Sequence, residues 1–246
     1  KTTGDTTFRI SPSLYENPTR FYRDLVQTTK DVKVNFQFDV KENEGRKSIV
    51  KFGAAAIQQD RLVLENRFTY ESQGQNLYHG SMTNYFSDNN MTLPTAGNPV
   101  ANYIYVIDQT ELRNNYRGNQ SIYATYLMGD VWLFKKLGAI SGARFETTSI
   151  QVASFDKKQK KGDLQEADIL PALSLTYAAS KNTNIRAAFS RTLARPTFRE
   201  IAPFASYDFS ANWIIVGNPD LQRSLINNFD LVQDWVEKKY PRAIFS

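Results

Sequence analysis

A period of two is the strongest constraint in this sequence. Val32, Val34, Phe36, Phe38 and Val40 alternate with Lys33, Asn35, Gln37 and Asp39, which gives an extended chain one apolar and one polar face. A short turn at Glu42-Asn43-Glu44-Gly45 follows. A second strand is expected from Ser48 to about Ser72, with Phe52, Ala54, Ala56, Leu62, Leu64, Phe68 and Tyr70 opposite Lys51, Arg61, Glu65, Arg67 and Glu71. Gln58, Asp60 and Asn66 break its parity. A bulge, or emergence above a bilayer, accounts for them, since about 25 residues at ~3.3 Å each exceed the hydrocarbon thickness.

Five more strands are expected. The third, Gln120 to Phe134, carries apolar groups on both parities; placing Asp130 inward puts Tyr123, Leu127, Val131 and Leu133 outward. The fourth, Ala139 to Val152, sets Arg144, Glu146 and Thr148 against Ala143 and Phe145. The fifth, Asp168 to Ala179, directs Leu173, Leu175 and Tyr177 outward, and the sixth directs Ile185, Ala187 and Phe189 the same way. The seventh, Asn227 to Val236, sets Phe229, Leu231 and Trp235 against Asn228, Asp230 and Asp234, before a turn at Lys238-Lys239-Tyr240-Pro241 and part of an eighth strand. The first long connection, Gln73 to Asn119, is expected to be a loop with a short helix; Ser154 to Gln165 is a medium polar loop.

Connections therefore run short, long, short, medium, short, long, short. Membrane barrels of the outer-membrane type have this rhythm, with short turns on the periplasmic side and long loops outside. Composition agrees. No apolar run approaches the ~18 residues of a membrane helix, and a barrel's wet face and loops keep its hydropathy low. Cysteine is absent, which excludes a disulfide framework and thiolate metal sites. The net charge of +5 is spread along the chain, which argues against nucleic-acid binding. Tyr70, Trp132, Tyr177, Trp235 and Tyr240 fall near strand ends, where amphipathic rings suit the membrane interface.

Between the sixth and seventh strands stand Arg191-Thr192-Leu193-Ala194-Arg195-Pro196, then Pro203, then Gly217-Asn218-Pro219-Asp220-Leu221, then Asn228-Phe229-Asp230-Leu231. This order of an R-x-x-x-R-P strand exit, a G-N-P-x-L return turn and an N-F-D-L strand resembles the TonB-dependent receptors of the bacterial outer membrane. Weaker echoes lie at Gly142 to Glu146 and at Asn115 to Tyr126. The resemblance implies energised uptake of an iron chelate, cobalamin, a glycan or a peptide, powered through the TonB complex of the inner membrane, with no cofactor and no bond made or broken. It also implies a barrel of ~22 strands around a plug domain. No plug is recognisable, so residues 1–246 read as an internal part of the barrel domain. The motif residues have a structural reading: proline ends the ladder where the strand leaves the wall, and the Gly-Asn-Pro turn returns the chain.

Two loops supply candidate ligand contacts: Tyr78, His79, Tyr85, Phe86 and Asn89 in the first, and Tyr207, Phe209, Asn212 and Trp213 in the second. Rings and amides offer rigid contact area and adaptable hydrogen bonds; self-packing of a large loop explains the same composition. His79 is the only histidine, so neither a histidine metal cluster nor a serine triad is expected. Lys157-Lys158-Gln159-Lys160-Lys161 in an outer loop is a solvated charge run or a contact for lipopolysaccharide phosphates. Arg61, Glu65, Arg67, Arg144, Glu146, Arg186, Asp230 and Asp234 are expected on the wet face as cross-strand ion pairs. Two other folds are compatible with the pattern. A complete eight-stranded barrel with a structural or adhesive role requires the first strand to pair with the eighth. A soluble β-sandwich requires Leu173, Leu175, Phe189, Phe229 and Leu231 to be buried between two sheets.

Overall fold

In the computed structural model the alternating segments form one antiparallel sheet. The structure describes residues 18–43, 46–74, 78–91, 93, 102–180, 182–203, 205–208 and 213–235. The strands are β1 (Thr19–Asn43), β2 (Arg46–Gln73), β3 (Tyr103–Asp108), β4 (Tyr116–Phe134), β5 (Leu137–Ser154), β6 (Gly162–Ala178), β7 (Thr183–Ala194), β8 (Ala205–Asp208), β9 (Trp213–Val216) and β10 (Ser224–Trp235). The wall has the order β1-β2-β4-β5-β6-β7-β10, with β3 also paired to β2, and β8 with β9 makes a separate hairpin. Two short helices, α1 (Met82–Tyr85) and α2 (Phe198–Ile201), lie in the long connections.

The register explains the outward face. Across five strands one row reads Phe36, Phe52, Leu127, Ala143, Pro171 and the next Val34, Ala54, Thr125, Phe145, Ile169. Then come Val32, Ala56, Tyr123, Thr147, Ala167, and above them Lys30, Gln58, Ser121, Ser149, Gln165. Polarity thus switches over about two rows. Gln58 and Asp60 stand above that switch, and no register shift occurs near them or Asn66: the irregularities in these ladders are at Asp39/Lys41 and Trp132/Phe134. The strand emerges from the apolar belt and does not bulge.

The belt continues through Leu173, Phe189 and Phe229, which are neighbours in register, and Phe229 and Leu231 are 77% and 78% exposed. No second sheet covers them among the described residues, which excludes the sandwich. β1 pairs with β2 alone and β10 with β7 alone among the described residues; the expected eighth strand, at the chain end, lies outside them. Tyr123, Leu127 and Leu133 face outward, which settles the ambiguous strand as Asp130 inward.

β1 and β6 are much longer than the alternation indicates. β1 begins at Thr19, well before Val32, and β6 begins at Gly162, before Asp168. Above the switch neither face is uniform: upper β1 has Phe21 and Leu25 on one parity and Tyr22 and Val26 on the other, so the period of two loses its contrast. The first long connection is also more structured than a loop. β3 extends the sheet above β4 along the same edge of β2, from Phe68↔Asp108 to Gln73↔Tyr103. At the junction the ladder is replaced by side chains: the Glu65 amide donates to Asn115 Oδ1, and the Arg67 amide to Thr110 Oγ1 at 3.0 Å.

Pro171 marks another break. The β6–β7 ladder runs only from Ala172↔Ser190 to Ala178↔Asn184, and the residue lacking an amide hydrogen sits one position beyond it. Of the expected interface aromatics, Tyr177 and Trp235 are outward and exposed near the short-turn end. Trp132 is a correction: its ring lies over Gly138 on the inner face, at 3.4 Å from where a Cβ would stand. Tyr70 packs on Phe86 in the first loop, and Tyr240 lies outside the described residues.

The belt gives a direct test. Phe229→Arg should destabilise the protein in phospholipid vesicles by about 2–4 kcal/mol in urea unfolding, the midplane cost of a cation on a lipid face. Asp230→Asn, one residue along on the inner face, should shift it by less than about 0.5 kcal/mol.

Candidate functional site

The inner face bears charge, and the segment between β7 and β10 folds back onto it. β7 ends at Ala194. Arg195 then turns inward, its Nε donating to Thr148 Oγ1 at 2.9 Å and its guanidinium pairing with Glu146. Pro196 follows where no ladder amide is needed. Thr197 caps α2 with a complete capping box: its hydroxyl accepts from the Glu200 amide, and Glu200 accepts from the Thr197 amide at 2.7 Å. Those bonds hold the Glu200 carboxyl below its ordinary range.

α2 is short, but its apolar side chains are buried. Phe198, Ile201 and Ala202 join Val63, Tyr116, Ile150, Val152 and Leu164 in one cluster, with Leu221 packed against it. Gly118 and Gly162 leave room in the wall: a Cβ on Gly118 would meet the Phe198 ring at 2.7 Å, and one on Gly162 the Ile201 side chain at 1.9 Å. Arg61 lies over the Phe198 ring at 5.1 Å, a cation–π contact. The return turn is tied to the same helix. The Asn218 amide donates to the Glu200 carbonyl at 2.7 Å, Asn218 Oδ1 accepts from the Asp220 amide at 2.9 Å, and Gly217 passes the Ala202 carbonyl where a Cβ would stand at 1.9 Å. Pro219 lies within this turn.

Arg223 closes the loop, donating to both Asp168 oxygens at 2.8 and 2.7 Å and pairing with Glu166 at 3.2 Å. Bonding to Asp168 raises the Arg223 pKa; burial and the charge of Arg144 lower that of Arg195. Glu146 and Asp168, each 5% exposed, face each other across β5 and β6. The two arginines that flank the loop are therefore clamped to two buried carboxylates of the wall, and Arg144 pairs with Glu146 at 2.8 Å. Further along the inner face Arg23 pairs with buried Glu65, which also accepts from Asn114 at 2.9 Å, and Arg186 pairs with Asp234 at 3.2 Å.

The ring-rich loops divide. Tyr78, Tyr85 and Phe86 pack edge to face with one another and with Tyr70, and Tyr85 and Ile104 are the buried centre of that cluster. Those rings build the loop. His79 and Asn89 remain exposed. In the second loop Tyr207 is on β8, Trp213 is 65% exposed at the start of β9, and Phe209 and Asn212 lie outside the described residues. Among the described side chains, Trp213 is not part of the first loop's ring cluster. Of the remaining motif residues, Arg191 donates to Asn227 at 2.9 Å and Asn228 to Thr192 at 3.3 Å across β7 and β10. Pro203 is half-buried just after α2, and Asp230 is exposed on the inner parity. Lys160 of the basic run pairs with Asp220, which joins the β5–β6 loop to the return turn. No group of metal-ligating residues occurs among the described residues.

The partners of Arg195 and Arg223 were not readable from spacing, since they lie on strands far away in sequence. Gly118 and Gly162 did carry a signal: glycine inside a strand often marks close approach of another element.

A single curved wall with one lipid face, one ionised face and inward-folded loop residues defines a segment of a membrane β-barrel. The chain belongs to the Outer membrane protein beta-barrel family, whose model matches residues 65–240, and its place is the bacterial outer membrane. The ferric citrate transporter FecA in its unliganded form is similar in fold, with a TM-score of 0.53 and 13% identity over 90% of this chain. The siderophore receptor PiuA from Acinetobacter baumannii aligns over 86% of this chain and 30% of its own, with 11% identity and a TM-score of 0.45. The chain spans 27% of the length of FecA. At the level of fold it is a barrel segment like those of TonB-dependent receptors. No curated protein sequence matches it.

Two measurements probe the clamp. Glu146→Ala leaves Arg144 and Arg195 without their shared carboxylate and should cost about 2–3 kcal/mol in urea unfolding; Gly217→Ala should cost about 1–3 kcal/mol by forcing a methyl onto the Ala202 carbonyl. Both should speed tryptic cleavage at Arg199, and unchanged cleavage would show that the clamp does not hold α2. Because the folded Glu200 pKa is depressed, its contribution is full above the unfolded value of 4.5 and fades as pH falls through the folded value. Hydrogen exchange in residues 197–202 should accelerate as pH falls through that window, after correction for intrinsic rates, and the Glu200→Gln variant should show no such step.

Proposed function

We propose that the chain forms part of the wall and outer loops of a receptor that takes up a scarce nutrient across the outer membrane in a step energised by the TonB complex. The observation that supports this reading best is the inner face. A sealing wall has no need of buried carboxylates clamping a loop onto its lumen side, whereas a receptor needs a loop held where cargo enters. The cargo classes are an iron chelate, cobalamin, a glycan or a peptide, met by exposed His79, Asn89 and Trp213 and by Tyr207, Phe209 and Asn212 of the second loop. The inner-membrane complex would act through a plug segment housed within the barrel. Binding and passage are the chemistry, with no catalytic group, metal or cofactor required.

Uptake of each labelled cargo by cells with and without the protein tests this. One class should accumulate only when the protein is present, and dissipating the proton-motive force or depleting TonB should stop it. Removing residues 205–216 should raise the half-saturating cargo concentration by about tenfold, the loss of one or two good contacts. Uptake that survives collapse of the proton-motive force would identify a passive pore.

A further inference from the structure

Two hollows of opposite character meet on the outward face. The lower is an apolar trough of about 350 Å³, floored by Ala54, Ala56 and Thr125 and walled by Val32, Val34 and Phe145. The upper, of about 440 Å³, is lined on its outward side by Ser121, Thr147, Ser149 and Gln165. Tyr123 and Thr147 line both, so the two are continuous along the strands.

The register builds this pair. Small side chains at Ala54, Ala56 and Thr125 fall side by side, below the row in which Ser121 stands beside Ser149 and Ser149 beside Gln165. The Tyr123 hydroxyl accepts from Gln58 at 3.1 Å, which fixes that ring at the boundary. Among the described residues the hydroxyls of Ser121 and Ser149 have no hydrogen-bond partner, and Gln165 reaches only Asp163 on its own strand, at 3.3 Å.

Depth agrees. From Leu133 to Tyr123 is about ten residues, or ~24 Å along the membrane normal at a strand tilt of ~45°, close to the height of a barrel's apolar band. Tyr123 therefore marks the outer margin, the trough lies among acyl chains and the polar hollow at headgroup level.

We propose that this face is a binding site for one outer-leaflet glycolipid, with an acyl chain in the trough and sugar hydroxyls on Ser121, Thr147, Ser149 and Gln165. The chemistry selects sugar over phosphate. No lysine or arginine lines the polar hollow and the Asp163 carboxylate stands at its upper edge, bonded to Gln165, so a phosphate would gain no charge-assisted bond and would meet a carboxylate. Sugar hydroxyls both donate and accept, as serine hydroxyls and a glutamine amide require. The inference rests on the membrane placement of the wall and is independent of transport.

The test is lipid retention. Protein purified from outer membranes is equilibrated in micelles holding equal amounts of a neutral dihexosyl diacylglycerol and a phosphatidylglycerol with the same acyl chains, then examined by native mass spectrometry. One glycolipid should be retained about fivefold over phosphatidylglycerol, the scale of one net hydrogen bond. Ala56→Phe fills the trough and should abolish retention; the pair Ser149→Ala and Gln165→Leu should keep a bound lipid and lose the preference. Heat-modifiable migration reports folding, and if Ala56→Phe does not fold, Ala54→Leu carries the same expectation with a smaller intrusion. Equal retention of the two lipids, a preference for phosphatidylglycerol, or undiminished glycolipid on a folded trough variant would overturn the proposal.

Discussion

Inside a bilayer no water is available to peptide groups, so every amide and carbonyl of the wall must be paired within the wall. The rest of this structure follows from that demand. The ladders run almost without interruption through the membrane-spanning lengths of β1, β2, β4 and β5, and exceptions occur where the partner strand departs. Pro171 stands at the end of the β6–β7 ladder, and Asn115 and Thr110 supply side-chain acceptors where β3 gives way to β4. Unbroken register in turn places side chains in rows, and rows make the apolar belt, its sharp upper margin and the smaller features cut into it.

The two faces then obey different economics of charge. Outward, hydrocarbon tolerates no unpaired ion, and the rows between Phe36 and Ala167 contain none. Inward, water and neighbouring ions permit Glu146, Asp168 and Glu65 to be nearly buried because each has an arginine in contact. Buried ion pairs contribute little net stability compared with apolar packing, but losing one partner is costly. That asymmetry suits a clamp. It fixes where the segment between β7 and β10 lies on the wall, and the apolar contacts of Phe198 and Ile201 beside it supply the burial.

Much of the wall was legible along the chain. The parity of Leu173, Ile185, Phe229 and Leu231 and the inward set Arg144, Glu146 and Thr148 agree with the structure, because one lipid face and one wet face impose a period of two. Legibility failed where that contrast vanished. Upper β1 has apolar groups on both parities and the start of β6 has a single buried leucine, Leu164, on its inner side, so the alternation ends before either strand does, and Trp132, near a turn, covers Gly138 on the inner face instead of serving as an interface ring. The first loop's rings left two readings open, and the edge-to-face contacts among Tyr78, Tyr85 and Phe86 assign those three to the loop's own packing.

Alone, the sequence determined the class of fold, the orientation of most strands and the exit and return of the motif loop, since these depend on neighbours one, two or four residues apart. Tertiary structure decided what those features touch. That Arg195 meets Glu146 and Arg223 meets Asp168, that Phe198 and Ile201 seat over Gly118 and Gly162, and that three small residues line up as a trough all depend on registers between strands. Register is a property of pairs, and no single strand carries it.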